Sequence, residues 1–338
     1  MKKLKIILYF FFGFLLSFIA YKFFGLKEVL LNFKFFTLEK IFFLLTYLIF
    51  VFFIEILKAY RWKLIINTNI KKKKKEISFY KLTEFRLASF SISYVLPQFF
   101  IGGEIIKILL LKKEKIKFNK AISSIILDKS IQAFTDLIFI SIMLLYLLIT
   151  KKIFLIYKIL IVIAIIILII NKILYLKAIR KRKIYFSKIF DLKFINKFEK
   201  IKKAVFDIEK TISKFYIKHI DIFYKILIIN FIIWLFSIIN IIMALKIFNI
   251  NLSLIIIIMI FLTLNFVYLL PLPMTLGSLE FLQIFVFSFL NIDKSYALLI
   301  SILFRFSDLI KTLLGFNFLM LKGINYKKIL KILKIKNE

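Results

Sequence analysis

The chain is 338 residues long, 62% of them hydrophobic, with 44 Phe and a mean hydropathy of +0.95. A soluble fold needs far more polar surface, so the class is an all-α, polytopic helical membrane protein. The formal net charge is +35, but Lys and Arg cluster between apolar windows; that pattern sets nucleic acid aside and fits cytoplasmic loops beside anionic lipid headgroups.

Cysteine is absent and His219 is the only histidine. Disulfides, thiolate chemistry, His-based metal sites and Ser-His-Asp triads therefore fall away together, and no cofactor or metal is expected.

The N-terminal MKKLKIILYFFFGFLLSFIAYKFF has the charge order of a signal peptide. Its apolar run is too long and no A-x-A-like site follows, so it is read as a retained span, Leu4–Phe24, within residues 1–37. Further spans are expected at about Leu38–Tyr60, Ala121–Ile149, Ile153–Leu176, Asp221–Lys246 and Tyr296–Leu321. Five basic clusters lie at the N-terminus, after the second span, at Leu111–Lys120, from Lys177 to Lys218, and at the C-terminus. Placing all five in the cytoplasm puts both termini inside, in a multi-pass protein of the cytoplasmic membrane.

The expected organisation is a first membrane half at 38–176, a basic linker at 177–220, a second half at 221–321 and a basic tail at 322–338. In the linker, Phe194, Phe198, Ile201, Val205, Ile208, Ile212 and Phe215 form one apolar stripe at helical spacing. Two readings fit it: a helix on the inner leaflet surface, or a helix packed on the bundle.

Residues 79–111 must leave from and return to the cytoplasmic side, and 252–291 must do the same from outside. Each is read as a re-entrant hairpin of two short helices. The chain has only three prolines, and all fall in these segments: Pro97 in the first, Pro271 and Pro273 in the second. Gly102 and Gly103 accompany Pro97, and Gly277 follows Pro273. Pro97 and Gly103 are six apart, as are Pro271 and Gly277; Y-x-L-P precedes both, and Glu104 or Glu280 follows. Such breaks at membrane depth are tolerated where protein or a water-filled cavity satisfies the freed backbone groups. The match of span–hairpin–span in opposite orientation reads as an inverted repeat, a pointer to a transport site.

Seven of the 18 acidic residues lie within or at the rim of apolar segments: Glu55, Glu84, Glu104, Asp128, Asp136, Glu280 and Asp308. Each costs about 2.5–3.5 kcal/mol at a helix centre, so each should face an interior or a partner. Helical spacing offers Lys107 to Glu104 and Arg305 to Asp308, both at i+3. Asp128 and Lys129 are adjacent, point different ways and need partners elsewhere. Either the charges lock helices together or they line a polar pathway; for the set around the two hairpins the pathway is the reading taken. No phosphate loop, HExxH or GxSxG motif is present, so no catalytic residue is assigned.

These residues carry a family likeness. LPQFFIGGEIIK with AISSIILDKS, then LPLPMTLGSLE with ALLISILFRFSDL, resemble the two signatures of the lysylphosphatidylglycerol synthase transmembrane-region family. RWKLII at Arg61–Ile66 also fits, and the likeness spans roughly Leu38–Leu321. The chain departs from the family pattern in having Met274 and Thr275 where glycine is usual, and Lys107 and Lys129 where arginine is usual. Both lysines keep the charge but lose the bidentate fork.

The resemblance implies a flippase-like membrane domain that moves a lipid between leaflets. The soluble aminoacyl-transfer domain of fused relatives is expected to be absent. Glu104, Lys107, Asp128, Lys129, Glu280, Arg305 and Asp308 are the expected headgroup or pathway residues. The expected partners are membrane lipids, anionic or phosphate-bearing, with a lipid-modifying enzyme or glycosyltransferase as protein partner. The alternatives are a membrane transferase or accessory subunit in cell-envelope glycolipid synthesis, and a scaffold whose charges only hold helices together.

Overall fold

In lipid no water satisfies backbone N–H and C=O groups, so long apolar stretches close their hydrogen bonds within themselves as helices. The computed structural model describes residues 37–69, 77–95, 101–150, 199–267, 272–289 and 292–323, together with the isolated helical positions Leu15, Phe18, Lys22, Ile166 and Ile170. Among the described residues there are nine α-helices, one short 3-10 turn and no strand. The first and fourth expected spans, Pro97, Pro271 and the linker stretch 177–198 lie outside them.

The helices are α1 (Leu38–Asn69), α2 (Phe79–Val95), α3 (Ile101–Lys113), α4 (Phe118–Thr150) and α5 (Glu199–Lys218). They continue as α6 (Ile220–Ile247), α7 (Leu254–Val267), the 3-10 turn Pro273–Thr275, α8 (Ser278–Phe289) and α9 (Lys294–Leu321). At 32 residues α1 extends about 48 Å, well past a hydrocarbon core of about 30 Å. Its additional turns beyond Tyr60 carry Arg61 and Trp62 into the protein interior, both almost fully buried. Helices α1 and α6 are each long and apolar enough to cross a membrane.

Large apolar side chains face outward as well as inward. On α1 the exposed residues Phe42, Leu45, Ile49, Phe53, Ile56 and Tyr60 recur at three- and four-residue spacing, while Glu55 and Arg61 are buried. On α8 Phe281 and Phe285 are exposed while Glu280 and Gln283 are buried. On α9 Phe306, Leu309 and Leu313 face outward, and Ser301, Ser307, Asp308 and Thr312 face inward. An apolar stripe turned outward on one helix after another fits a hydrocarbon solvent, and polar groups are placed where other helices can satisfy them.

Helix ends are closed by local chemistry. Asp293 caps α9 by accepting from the Ser295 backbone N–H at 2.9 Å, and Gly323, at φ 65°, ends it. Asn249 (φ 56°) and Lys115 (φ 59°) occupy the same left-handed position after α6 and α3.

The described chain packs as two compact units. The first draws on Met1–Ile56, Thr83–Lys107 and Trp234–Glu338; the second on Leu57–Leu82 and Ile108–Ile233. In the first unit α2 is held by small residues. A Cβ at Gly103 would strike Ser89 and Ser93, and one at Gly315 would strike the Leu87 backbone and Ser91. Ser91 also donates to the Thr312 carbonyl of α9 at 2.9 Å. Close backbone approach through small residues is how membrane helices associate where lipid offers no hydrophobic drive.

In the second unit Ile65, Leu127, Ile131, Ile212, Phe215 and Ile226 form one buried cluster. Ile212 and Phe215 belong to the linker stripe, and Ile208 packs beside them. Over these residues the stripe of α5 faces protein.

Candidate functional site

The second hairpin region builds its site from the backbone outward. Pro273 opens the 3-10 turn, and Met274 and Thr275 follow at φ 53° and 52°, left-handed conformations for residues that bear a Cβ. Gly277 takes φ 74° without that penalty and precedes α8. This backbone turns two carbonyls toward α9, where Arg305 takes both. Its Nη1 donates to Met274 O at 2.9 Å and its Nη2 to Thr275 O at 3.1 Å.

The same guanidinium grips Glu280 with two near-parallel bonds, Nε to Oε1 at 2.6 Å and Nη2 to Oε2 at 2.7 Å. Such forked, charge-assisted pairing is the strong form of the interaction. Glu280 has no exposure, whereas Arg305 keeps 15%. Glu280 sits in the first turn of α8, where the positive end of the helix dipole favours an anion.

Other polar groups gather near the pair. The Tyr94 side chain, at the end of α2, shares a hydrogen bond with that of Thr275 and lies within electrostatic reach of Arg305, Glu280 and Asp308. Asp308 pairs with Lys311 at 2.6 Å, and Lys311 lies over the Phe90 ring at 4.3 Å. Tyr47 donates to Ser307 at 3.0 Å, joining α1 to the same stretch of α9. Gln283, one turn beyond Glu280 and also at 0% exposure, donates to Thr263 at 3.2 Å. Thr263 gives its own proton to backbone carbonyls of α7, so the amide orientation is determined and Gln283 Oε1 is left with no protein donor.

The first hairpin region is different. Glu104 also stands in the first turn of its helix, α3, and pairs with Lys107 at 3.1 Å, as the i+3 spacing led one to expect. Gly103 lies against α2, and Gly102 occupies the α3 backbone beside it. Nearby charges in this unit also pair: Arg86 with Glu55 at 3.3 Å and Lys322 with Glu84 at 3.5 Å.

Asp128 belongs to the second unit and to another network. Arg61 donates from Nε to Asp128 at 2.8 Å, from Nη1 to Asn230 at 2.7 Å and from Nη2 to Gln132 at 3.1 Å. Asn230 passes a bond on to Thr135 at 2.9 Å. Arg61 and Asp128 are each 2% exposed, so this network ties α1, α4 and α6 through a desolvated guanidinium. Lys129, the next residue on α4, is on the exposed side.

The geometry thus brings Glu280 to Arg305 and Glu104 to Lys107. Asp308, the expected i+3 neighbour of Arg305, pairs with Lys311, while the Arg305 fork reaches Glu280 on α8 and the carbonyls of the turn. Arg61, Gln132, Asn230, Tyr94 and Lys311 were not among the expected site residues. Arg61 was visible as a charge just past an apolar span, but its partners lie 67 or more positions away.

The family model described as the lysylphosphatidylglycerol synthase TM region matches residues 4–315 of the chain. The chain belongs to this family. Its membership and its helices make it an all-α membrane protein from a family tied to lipid modification or translocation. No curated protein and no solved structure matches it. The left-handed Met274 and Thr275 stand where this family was expected to favour glycine, and their φ values give the physical reason for such a preference.

Proposed function

We propose that this member of the lysylphosphatidylglycerol synthase transmembrane-region family moves the headgroup of a phosphate-bearing lipid between leaflets, leaving its acyl chains in the bilayer. One observation carries the reading: a partly exposed arginine, Arg305, is held at a broken-helix turn by a fully buried glutamate. A charge so placed in a membrane protein is costly unless it serves a partner or a pathway. Ser301, Arg305, Asp308 and Thr312 recur along α9 at spacings of four, three and four. At 1.5 Å per residue that polar lane covers about 16 Å of depth.

The expected topology belongs to the same proposal: six spans, two opposed re-entrant hairpins, cytoplasmic termini and residence in the cytoplasmic membrane. Its support is that α2, α3, α7 and α8 hold 17, 13, 14 and 12 residues. As described, α3 and α8 are well short of the roughly 20 residues that cross a hydrocarbon core. Glu104 with Lys107 would serve the first hairpin as Glu280 with Arg305 serves the second. Asp128, locked by Arg61, is assigned to holding the bundle, and Lys129 to the basic surface.

Reconstitution into vesicles carrying a labelled anionic phospholipid in one leaflet tests this directly. Accelerated exchange supports the reading; no acceleration for any native phospholipid or polyprenyl-phosphate lipid overturns it. Turnover of a glycolipid by the purified protein, lost in Glu280→Gln, would instead move the assignment to the transferase reading.

A further inference from the structure

We infer that Glu280 is an internal stand-in for the anion this site receives: a lipid phosphate enters by exchanging with the Glu280 carboxylate on Arg305. The inference rests on the lipid-moving reading of the site and adds how occupancy is controlled. The Arg305 fork presents parallel N–H groups to two carboxylate oxygens at 2.6 and 2.7 Å. A phosphodiester offers two unesterified oxygens in the same arrangement, which makes carboxylate and phosphate competitors for one guanidinium.

The asymmetry of exposure gives a direction of approach. Glu280 is sealed and Arg305 is not, so the ligand meets the arginine without first displacing protein. Gln283 Oε1 adds a second determinant. It is a fully buried acceptor without a protein donor, one helical turn from Glu280, and would take a hydrogen bond from a headgroup hydroxyl or ammonium. The ligand class is therefore a phosphodiester whose headgroup also carries a hydrogen-bond donor.

The exchange has an opposing force built in. Met274 and Thr275 hold left-handed backbone conformations and offer both carbonyls to Arg305. When Arg305 turns to a phosphate, the turn is free to relax; when the ligand leaves, Glu280 recaptures the arginine. A site that releases its ligand needs such a competitor, because an uncompensated arginine at membrane depth would hold a phosphate too long to pass it on.

The test measures binding, not transport, so its failure is separable from failure of the lipid-moving reading. Purified wild type, Glu280→Gln, Glu280→Asp, Arg305→Gln, Gln283→Leu and, as a control outside the site, Glu114→Gln, a partly buried carboxylate paired with Lys81 at 3.0 Å, are titrated in detergent. The three probes are short-chain phosphatidylglycerol, short-chain phosphatidylcholine and inorganic phosphate, read by native mass spectrometry and by the thermal midpoint. Removing the competitor charge is expected to tighten phosphatidylglycerol binding about tenfold in Glu280→Gln. That variant should also show a larger ligand-induced rise in midpoint than wild type. Arg305→Gln should lose the binding, Gln283→Leu should weaken phosphatidylglycerol but not inorganic phosphate, and Glu114→Gln should match wild type. If Glu280→Gln does not fold, Glu280→Asp, which keeps the charge but shortens the reach, should bind between wild type and that expectation. Unchanged or weaker binding in a folded Glu280 variant overturns the exchange. Response to inorganic phosphate alone would overturn the lipid assignment while leaving the anion site.

Discussion

Arg305 and Asp128 are both charges within apolar helices, the first partly exposed and the second buried, and they call for opposite treatment. Asp128 is enclosed by Arg61, whose remaining donors go to Asn230 and Gln132. Removing one side of such a pair strands the other charge. Asp128→Asn should therefore lower stability by about 3 kcal/mol, read as a fall in detergent thermal midpoint and folded yield. Lys129→Gln, one residue on, should shift stability by less than about 0.5 kcal/mol, because Lys129 is solvent- or lipid-facing rather than buried. Equal effects from the two would mean that the Asp-Lys doublet acts as a unit. At this scale the sequence was only partly legible. Glu104 with Lys107 follows from helical spacing, whereas Glu280 with Arg305 joins residues 25 positions apart on different helices. Periodicity within one helix pointed to Asp308 for Arg305, and the Glu280 partnership comes from the packing of α8 against α9, which no spacing within one helix encodes.

Elements depend on two backbone devices. One is the close approach of α2 to α3 and α9 at Gly103 and Gly315. An alanine at Gly315 would press its methyl group on the Leu87 backbone, which cannot swing aside as a side chain could. Gly315→Ala should destabilise by about 1–3 kcal/mol, checked by the thermal midpoint. The other is the turn after Pro273. Met274→Gly removes a left-handed penalty of roughly 1–2 kcal/mol but gives the unfolded chain more freedom. A net gain of about 1 kcal/mol is expected; a loss would mean that the Met274 side chain outweighs the strain. Helices were legible as apolar windows, and Pro273 marked the turn ahead of α8, while Pro97 and Pro271 lie outside the described residues. The left-handed residues were not legible, since Met and Thr carry no mark of positive φ. Their only signal was their place in a signature where glycine was expected.

The whole molecule is recognisable as a membrane protein from composition, and its exposed apolar stripes agree with that. The sequence match between the segments around Glu104 and Glu280 is not repeated in their ion pairs with Lys107 and Arg305. Glu104 pairs with Lys107 on its own helix, and Glu280 reaches across to Arg305 on α9. If Arg305 carries the headgroup, activity should concentrate around the Arg305–Glu280 pair. Leaflet exchange in reconstituted vesicles should then fall at least about tenfold in Arg305→Gln and only a few-fold in Lys107→Gln, in line with a lost fork against a lost single contact.

The measurement that bears most directly on the central claim is the rate of labelled phospholipid exchange by wild type and by folded Arg305→Gln in matched vesicles. Wild type should exchange lipid faster than protein-free vesicles, and the variant should return to that background. A wild type no faster than empty vesicles, or an Arg305→Gln protein that exchanges lipid at the wild-type rate, would contradict it.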